Sequence, residues 1–337
     1  MSWWENYKID FIKMLEFIKS IKQRKDLRLF FDDYKIETMI RMVFESNTIE
    51  NEGLDLTGTK RLFSEILEPQ LIKIKSGEFK STEEKKVAEL FAGALHNLTD
   101  VLNITDYEKN KIVLYKNKKK EFTTTLNHLI VMSAIDISFR NIKKDVEKYE
   151  DVFNAKILKE YHGHLSKGLD NNNNGEPGQY RIDGAYIDMN TIFLQPSLIS
   201  DAIDNAFSIF LSSLSKRKNM YLETMLLVAK FIKIHPFGDC NGRLSRIILN
   251  LAFLYDEVPF YLVLRSNSRD KKKYIEAMRE YYQNKKISKF ISVVSRTFLK
   301  QIEEINSNLE LAGKDQIEPV ELEKIEKEKI LKELEEF

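Results

Sequence analysis

The chain has 337 residues, of which 43% are hydrophobic and 31% are charged, and its formal net charge at pH 7 is +1. This length supports one large or two modest domains with a sizeable core. The near-zero net charge argues against a general nucleic-acid-binding protein and against a polybasic membrane-binding protein. Only 12 glycines and 6 prolines interrupt the chain, which favours a mainly helical, all-α fold.

Cysteine usage and hydropathy bear on where the protein works. The single cysteine, Cys240, cannot form a disulfide within the chain. No stretch approaches the roughly 18 apolar residues of a membrane-spanning helix, and the N-terminus lacks the pattern of a signal peptide. We therefore expect a cytoplasmic protein, because cytoplasmic proteins keep their cysteines reduced. Neither a nucleic acid nor a membrane is expected as a partner.

Residues 1–102 are predicted to form an N-terminal helical module. Apolar residues recur every three to four positions over 7–22 and over 34–47, with charged residues between them. This is the pattern of amphipathic helices. Trp3 and Trp4 precede the first of these helices, and we expect them to fix it by packing.

The second predicted helix ends in the polar sequence Ser-Asn-Thr-Ile-Glu-Asn-Glu-Gly. Asn and Gly commonly follow the last turn of a helix. The spacing places Ser46 and Glu50 one turn apart on the same face. Composition alone would make Glu50 a solvated charge.

Further helices are predicted over 124–149 and 155–169. Three histidines lie on them, His128, His162 and His164, without a carboxylate or cysteine at metal-ligand spacing. We interpret them as structural residues rather than metal ligands.

A β-hairpin is predicted near 178–196, after a polar loop. Two short β-prone runs stand on either side of turn-forming residues. The hairpin residues of interest are Tyr186, Ile187, Asp188, Met189, Asn190 and Thr191. An isolated hairpin is marginal unless it docks on something, so it either covers one end of a helical bundle or serves the functional site, and both roles are compatible.

The most informative stretch reads HPFGDCNGRLSR and begins at His235. The apolar run over 225–234 predicts a buried helix that Pro236 ends. The proline ring cannot continue the hydrogen-bond ladder, and it is expected to restrict His235 to an extended conformation. The apolar period resumes at Leu244, so a second helix is predicted to start near Asn241.

The start of that second helix is predicted to bind an anion. Free backbone N–H groups and the positive end of the helix dipole attract negative charge, and Gly242 allows a close approach to the backbone. Arg243 and Arg246 lie on one helix face and suit bidentate contacts with phosphate. Asp239 is an oxygen ligand for a cation such as Mg²⁺, and His235 is a base near neutral pH.

A plainer interpretation is that His235 caps a helix, Asp239 forms a turn and the arginines are surface charges. Each residue alone would favour that interpretation. Their occurrence together in one short stretch, with a proline and two glycines between them, argues instead for a site that transfers part of a nucleotide to a nucleophile.

The stretch closely resembles the motif of Fic-domain proteins, His-Pro-Phe-x-Asp/Glu-Gly-Asn-Gly-Arg-x-x-Arg. It departs from that motif at Cys240, where the family has glycine. The resemblance implies a Fic-type helical bundle that transfers AMP from ATP, bound with Mg²⁺, to a Ser, Thr or Tyr hydroxyl of a target protein. His235 would deprotonate that hydroxyl and Asp239 would hold Mg²⁺. Asn241 and the Gly242 backbone would bind the α-phosphate region.

The resemblance also assigns the rest of the loop. Arg243 and Arg246 would bind the β- and γ-phosphates. Gly238 and Cys240 would complete the nucleotide-binding loop, and Phe237 would be a buried residue that fixes it. The phosphorylating branch of the superfamily has lysine where this chain has glycine at position 242, so the resemblance favours transfer of AMP.

The sequence around Glu50 resembles the inhibitory helix of one Fic subgroup, Ser/Thr-x-x-x-Glu-Gly/Asn, which precedes the Fic core. Ser46, Glu50 and Asn51 match that pattern. In that subgroup the glutamate pairs with the second arginine of the Fic motif and blocks the γ-phosphate. The corresponding pair here would be Glu50 and Arg246.

The predicted hairpin, preceded by Gly-x-Tyr-Arg, resembles the Fic flap. In that family the flap pairs with the backbone of the target and presents its hydroxyl, a form of β-augmentation. Residues 103–300 would therefore be the Fic catalytic core. Residues 301–337 form a charged tail with apolar residues at roughly helical spacing, and one use of such a helix is to bind a partner or a second copy in a homodimer.

Two alternative functions stay open. Run in reverse, with Glu50 orienting a water molecule, the same site would remove AMP from a modified protein. A side chain at Cys240 could also narrow the anion site or forbid a positive φ. The chain would then be a catalytically weak nucleotide-binding regulatory protein that acts through partner binding.

Overall fold

A computed structural model describes residues 6–69, 71–72, 118–141, 149–169, 175–188 and 191–337. Four residues named above lie outside the described residues: Trp3, Trp4, Met189 and Asn190. The part of the predicted N-terminal module from 73 to 102 also lies outside them.

The described part of the chain is mostly helical, which confirms that prediction. Within it, no helix is long and apolar enough to cross a membrane. The helices are α1 (Tyr7–Gln23), α2 (Arg28–Ile49), α3 (Leu56–Leu62), α4 (Lys119–Asn141), α5 (Tyr149–Val152), α6 (Ala155–Leu165), α7 (Ile199–Ser215), α8 (Met220–Ile234), α9 (Asn241–Tyr255), α10 (Ser268–Asn284), α11 (Ser288–Leu311) and α12 (Lys324–Leu334). Short 3₁₀ turns lie at Lys25–Leu27 and Pro196–Leu198, and a π turn at Phe63–Leu67 continues α3.

The predicted helices lie where the apolar period placed them, but their ends differ. The helix predicted over 34–47 begins earlier, at Arg28. The helix predicted over 124–149 also begins earlier, at Lys119, and residues 142–148 lie outside the described residues. Periodicity locates the buried face of a helix, whereas its ends depend on caps and local contacts.

Side-chain caps fix several helix starts. The Asn154 side chain accepts a hydrogen bond from the Ile157 N–H, at 3.0 Å, where α6 begins. The Asp55 carboxylate accepts from the Gly58 N–H, at 2.7 Å, at the start of α3. Each cap satisfies a donor that has no partner inside its own helix.

The chain divides into two compact units. The first unit consists of Met1–Thr38, Ser208–Lys233 and Ile248–Phe337, and the second unit consists of Met39–Phe207 and Ile234–Ile247. The boundary predicted between residues 102 and 103 lies outside the described residues, and the one between 300 and 301 falls inside α11.

In the first unit, α1 packs along α11, and α10 and α12 pack on this pair. The Nε of Arg296 lies 2.6 Å from the Asp10 carboxylate, joining α11 to α1. Ile330 and Leu334 of α12 are buried, and the Tyr7 hydroxyl donates to the Leu334 carbonyl. The helix of the charged tail therefore packs its apolar side within its own chain.

In the second unit, α4 packs against α6. The side-chain amide of Asn127 donates to the Leu165 and Lys167 carbonyls, at 3.2 and 2.7 Å, which satisfies the end of α6. The last turns of α2 and the first turns of α9 belong to the same unit. This unit contains the whole stretch that the sequence singled out.

Two short strands, β1 (Tyr186–Asp188) and β2 (Thr191–Ile192), pair antiparallel, with Tyr186 opposite Ile192. Both of these side chains are largely exposed, at 78% and 69%. The backbone N–H of Phe193 donates to the Ala185 carbonyl, at 2.9 Å, and closes the base of the hairpin. Its role as a flap stays a prediction.

Candidate functional site

The candidate base, His235, directly follows α8 and has a φ of 51°. The prediction that Pro236 restricts it to an extended conformation is therefore wrong. Contacts from elsewhere in the second unit hold this backbone. The Nε–H of Arg181 donates to the His235 carbonyl, at 2.8 Å, and the Arg181 backbone N–H donates to the Pro236 carbonyl, at 2.9 Å. Tertiary contacts thus impose a conformation that local sterics disfavour.

The turn after Pro236 is closed by Asn241. Its Oδ1 accepts from the Phe237 N–H, at 3.1 Å, and its Nδ2 donates to the Phe237 carbonyl, at 2.8 Å. The Asn241 side chain is therefore committed to the turn. Gly238 is exposed in the same turn.

Phe237 is fully buried and stacks on the His162 ring, with 3.9 Å between the ring centroids. The Nδ1 of His162 accepts a hydrogen bond from the Gly178 N–H, at 2.9 Å. Burial lowers the pKa of His162 to about 4, so the ring is neutral near pH 7. The pair is an apolar support beneath the turn.

Cys240 stands at the start of α9, where its carbonyl accepts the first helical hydrogen bond, from the Leu244 N–H at 2.9 Å. Its φ is 62°. The possibility, left open by the sequence, that this side chain forbids a positive φ is therefore wrong. The thiol is buried, and burial raises its pKa to about 12. Cys240 is thus a protonated, packed residue beneath the helix start.

Asp239 presents the one carboxylate of this loop, and its side chain is 40% exposed. Its Oδ1 accepts from the Cys240 N–H, at 2.5 Å, and its Oδ2 lies 3.3 Å from Nη2 of Arg243. Among the described residues, no group of three or more His, Cys, Asp or Glu side chains could hold a metal by itself. A single part-exposed carboxylate fits Mg²⁺, which proteins usually bind through one or two carboxylates together with substrate phosphates.

Arg243 is completely buried. Its Nη2 lies 3.1 Å from the carboxylate of Glu52, which also lies 2.8 Å from the Lys120 ammonium. Its Nε and Nη1 have no hydrogen-bond partner among the described residues. Burial alone would lower the pKa of Arg243, but Cys240 and Asp239, together with the two glutamates of the neighbouring segment, raise it. A buried cation with two donors to spare suits an anionic ligand.

Arg246 is buried and is held by the last turn of α2 and the turn that follows it. Its Nε–H donates to the Ser46 hydroxyl at 2.7 Å and its Nη2–H to the Ser46 carbonyl at 2.8 Å. The same Nη2 lies 2.7 Å from Oε1 of Glu50. A Cβ built on Gly242 would collide with this Glu50 oxygen. The Glu50 carboxylate therefore lies against the backbone at the start of α9, beside Arg246.

The segment that carries Glu50 is itself fixed to α4. The side-chain oxygen of Asn47 lies 3.0 Å from Nδ1 of His128, and the Leu54 N–H donates to the Thr125 hydroxyl at 2.9 Å. Burial, and then the two arginines of the site, lower the pKa of His128 well below its usual value. Asn51 lies in the turn that ends α2, with a φ of 60° that asparagine tolerates.

The hairpin reaches the candidate base through its second strand. The ring of Phe193, which directly follows β2, stacks on the His235 ring, with 4.0 Å between the centroids and 12° between the planes. Met189 and Asn190 lie outside the described residues, and only the backbones of Ile187, Asp188 and Thr191 are described.

Sequence reasoning missed several residues that the structure brings to this site. Their partners come from distant parts of the chain, and helical or strand periodicity cannot pair such residues. One local signal existed, since a second glutamate follows Glu50 by two positions. The missed residues are Glu52, Lys120, Asn47, Arg181 and Phe193.

Residues 152–253 match the model of the Fic/DOC family, and this segment carries the loop and the start of α9. These residues are a Fic domain. A Fido domain-containing protein of Dictyostelium discoideum is 28% identical over 121 residues, which are 35% of this chain and 82% of that protein.

Solved structures resemble the Fic domain together with the helices around it. A Fic domain containing signaling protein from Bacteroides thetaiotaomicron superposes with a TM-score of 0.56 at 13% identity, over 92% of this chain and 99% of that one. Fic-1 from C. elegans superposes with a TM-score of 0.53 at 14% identity, over 89% of this chain and 73% of that one. At such identities the likeness is evidence for the fold alone.

Proposed function

We propose that this chain is a protein adenylyltransferase that transfers AMP from ATP to a Ser, Thr or Tyr hydroxyl of a target protein. One observation carries the proposal. The Glu50 carboxylate occupies the start of α9, between the Gly242 backbone and the Arg246 guanidinium. A site that already holds a carboxylate on a helix start and a buried arginine has the donors that a phosphate needs.

The nucleotide phosphates would take the place of this carboxylate. Gly242 lets the backbone N–H groups of α9 approach the α-phosphate. The two unpartnered donors of Arg243, together with Arg246 once it is released from Glu50, would bind the β- and γ-phosphates. Asp239 would hold Mg²⁺, which supplies positive charge to the phosphates when it is bound.

The reaction is a displacement at the α-phosphorus of ATP. His235 takes the proton of the target hydroxyl as its oxygen forms a bond to the α-phosphorus. The bond from the α-phosphorus to the oxygen bridging to the β-phosphorus breaks, and pyrophosphate leaves with the electron pair. Donors fixed before the reaction contribute most, because they need no reorganisation as charge develops.

The target would bind along the hairpin. Tyr186 and Ile192 are largely exposed on paired strands, and an extended segment of a partner can add to such an edge. Phe193 joins this hairpin to the ring of His235. A hydroxyl on the bound segment would therefore lie near the ring of His235, the base.

Glu50 would act as an inhibitor of the same site. Its contact with Arg246 occupies a donor that the γ-phosphate needs, so ATP would bind in an unproductive position. An exposed ion pair contributes about 1 kcal/mol at most. Here the arginine is 3% exposed and is also held by two hydrogen bonds to Ser46, which supports a stronger effect.

The test of the proposed function is label transfer in a cell lysate with the Glu50→Gly variant. Protein labelling is expected from ATP carrying the label on the α-phosphate, and not from ATP carrying it on the γ-phosphate. Removing Glu50 should raise the rate at least about tenfold, equivalent to about 1.4 kcal/mol. Glu37→Ala removes an exposed carboxylate from α2, the helix that Glu50 directly follows, and should leave the rate unchanged.

His235→Ala is the second control. It should abolish transfer while ATP still binds, because the base acts on the acceptor hydroxyl. Labelling from the γ-phosphate, or an unchanged rate in Glu50→Gly with saturating ATP and Mg²⁺, would contradict the proposal. Release of AMP from a previously modified target would instead support the reverse reaction at the same site.

A further inference from the structure

Arg181 is a buried arginine that has no carboxylate partner among the described residues. It is 1% exposed, and the guanidinium contacts that the described residues provide are all backbone carbonyls. Its Nε–H donates to His235 at 2.8 Å, its Nη1–H donates to Asp183 at 2.6 Å, and its Nη2–H donates to Leu194.

Burying this charge is costly. Burial lowers the pKa of Arg181, and a buried cation is retained only where its hydrogen bonds are well satisfied. An apolar side chain of similar length would fill the same space without that cost. The planar guanidinium offers instead several donors in a fixed geometry, which a flexible ammonium does not. The side chain is therefore suited to fixing three carbonyls relative to one another.

These three carbonyls come from two parts of the second unit. Asp183 precedes strand β1 and Leu194 follows strand β2, so both belong to the base of the hairpin. The third carbonyl is that of His235. The Phe193 ring, one residue before Leu194, stacks on the His235 ring. The backbone and the side chain of His235 are thus both attached to the hairpin.

We propose that Arg181 is a positioning residue that fixes the His235 ring relative to the hairpin. The assignment rests on the proposed function, in which His235 is the base and the hairpin binds the target. A target segment bound on the hairpin then arrives at a set distance from the base. Correct placement of reacting groups contributes strongly to rate, and small displacements reduce it. Arg181 touches neither the nucleotide nor the hydroxyl, so its effect passes through His235.

The first measurement is the nuclear magnetic resonance signal of the His235 ring. The chain has five histidines, so selective labelling of their ring carbons gives few signals, and His235→Gln identifies the one from His235. The aromatic ring of Phe193 should shift that signal upfield. In Arg181→Met and in Phe193→Leu it should move towards the position of an unstacked histidine. Arg181→Lys, which keeps the charge and loses the planar fork, should show a smaller shift of the same sign.

The second measurement is turnover in the Glu50→Gly background. Arg181→Met should lower kcat at least about tenfold, while the Kd for ATP stays within about twofold, because its contacts do not reach the phosphate site. Arg181→Lys should recover part of kcat. Arg265→Met is the matched control, since this arginine pairs with Glu304 in the first unit and its loss should leave both readouts unchanged.

The outcomes separate the two proposals. An unmoved His235 signal in Arg181→Met and Arg181→Lys, with native circular dichroism, would overturn the positioning role even if transfer of AMP is found. A shifted signal with no transfer in the parent protein would support the positioning role and contradict the proposed function. If Arg181→Met does not fold, Arg181→Lys decides the question, and Phe193→Leu supplies the signal position of an unstacked His235 ring. A kcat that falls together with ATP affinity would also overturn the positioning role.

Discussion

Cys240 is a residue other than glycine that adopts a positive φ in the turn before α9. A side chain in the left-handed region costs about 1–2 kcal/mol relative to glycine. The thiol in turn fills a fully packed place, since Cys240 is 3% exposed. The two terms are similar in size, so the turn tolerates a cysteine where a glycine would relieve strain.

The pair Cys240→Gly and Cys240→Ala tests this balance. Cys240→Gly relieves the strain but loses the buried thiol, so we expect its free energy of unfolding to stay within about 1 kcal/mol of the parent. Cys240→Ala keeps the strain and loses the thiol, so it should be the less stable of the two, by about 1 kcal/mol. Urea denaturation measures both. An alanine variant as stable as the glycine variant would contradict a strained φ at this position.

His162 makes the stability of the protein depend on pH. Its folded pKa is about 4, below the value of about 6.5 of an unfolded histidine. The unfolded chain binds more protons between these values, so stability rises with pH over that window and is lost as pH falls through it. The loss attributable to this residue is up to about 3 kcal/mol. His128 is buried and shifted in the same direction, so the total dependence is larger.

The His162→Phe variant isolates the contribution of this residue. Phenylalanine keeps the stacking on Phe237 and cannot bind a proton, although the variant loses the hydrogen bond from Gly178. Its unfolding free energy should be lower than that of the parent at about pH 7 but should change less between about pH 6.5 and 4. His164→Phe is the comparison on the same helix: burial also lowers the pKa of His164, but its side chain is only partly buried, so this variant should flatten the profile less. Parallel pH profiles for the parent and His162→Phe would contradict this account.

The candidate site residues of the loop could be predicted from the sequence, because they are contiguous and each residue type has a distinctive chemistry. His235, Asp239, Gly242, Arg243 and Arg246 all come together in the second unit. The side chains that hold them could not be predicted. In the sequence Glu52 and Arg181 look like any other charged residues. Only the fold brings them to the loop, because a sequence alone does not predict which distant charged side chains pair.

At the scale of elements, the turn after α2 places two carboxylates against α9, whereas the sequence predicted only that of Glu50. Glu50 contacts Arg246 and Glu52 contacts Arg243. The segment therefore contacts both arginines of the motif. Removing Glu50 alone leaves Arg243 paired with Glu52 and with Asp239.

Glu52→Gln should tighten the binding of ATP about three- to tenfold, because it removes a negative charge beside the phosphate site and keeps the side-chain volume. It should also lower the free energy of unfolding by about 1–3 kcal/mol, since a buried guanidinium loses a partner. Titration calorimetry with a non-hydrolysable ATP analogue measures the affinity. Glu65→Gln, an exposed glutamate paired with Arg61, is the control. Weaker binding in Glu52→Gln would mean that Glu52 orients Arg243 for the nucleotide.

The helical elements were largely predictable, because a buried helix face repeats with the period of the helix itself. The start of α9 at Asn241 was predicted closely, since Pro236 and the turn residues leave little choice. The backbone conformation of His235 was not predicted, because its φ depends on contacts with Arg181 and Phe193 rather than on the residues next to it in sequence.

At the scale of the whole molecule, the charged tail is part of the folded first unit. The sequence left a partner-binding use open, yet Leu334 is fully buried and Ile330 is 4% exposed. The Val320 N–H also donates to the Glu16 carbonyl of α1. A second copy of the chain would have to displace these contacts to use the same apolar side.

Leu334→Ala should therefore destabilise the protein by about 2–4 kcal/mol, the usual cost of a buried leucine. Ile325→Ala, on the same helix, changes a residue that is 80% exposed and should cost less than about 0.5 kcal/mol. Thermal unfolding of the two variants gives the comparison. Equal melting temperatures would mean that α12 does not contribute to the stability of its unit.

The contact between Glu50 and Arg246 is an intramolecular one: the carboxylate and the guanidinium that binds it belong to the same chain. Under the proposed function, Glu50 is a tethered competitor whose effective concentration is fixed by the fold, on the order of millimolar or higher. Diluting the protein leaves this competition unchanged. Because ATP would bind unproductively while the carboxylate stays on Arg246, adding more ATP would not relieve the inhibition. The resting activity would then be set by how often the Glu50 segment leaves its site, and not by the supply of ATP.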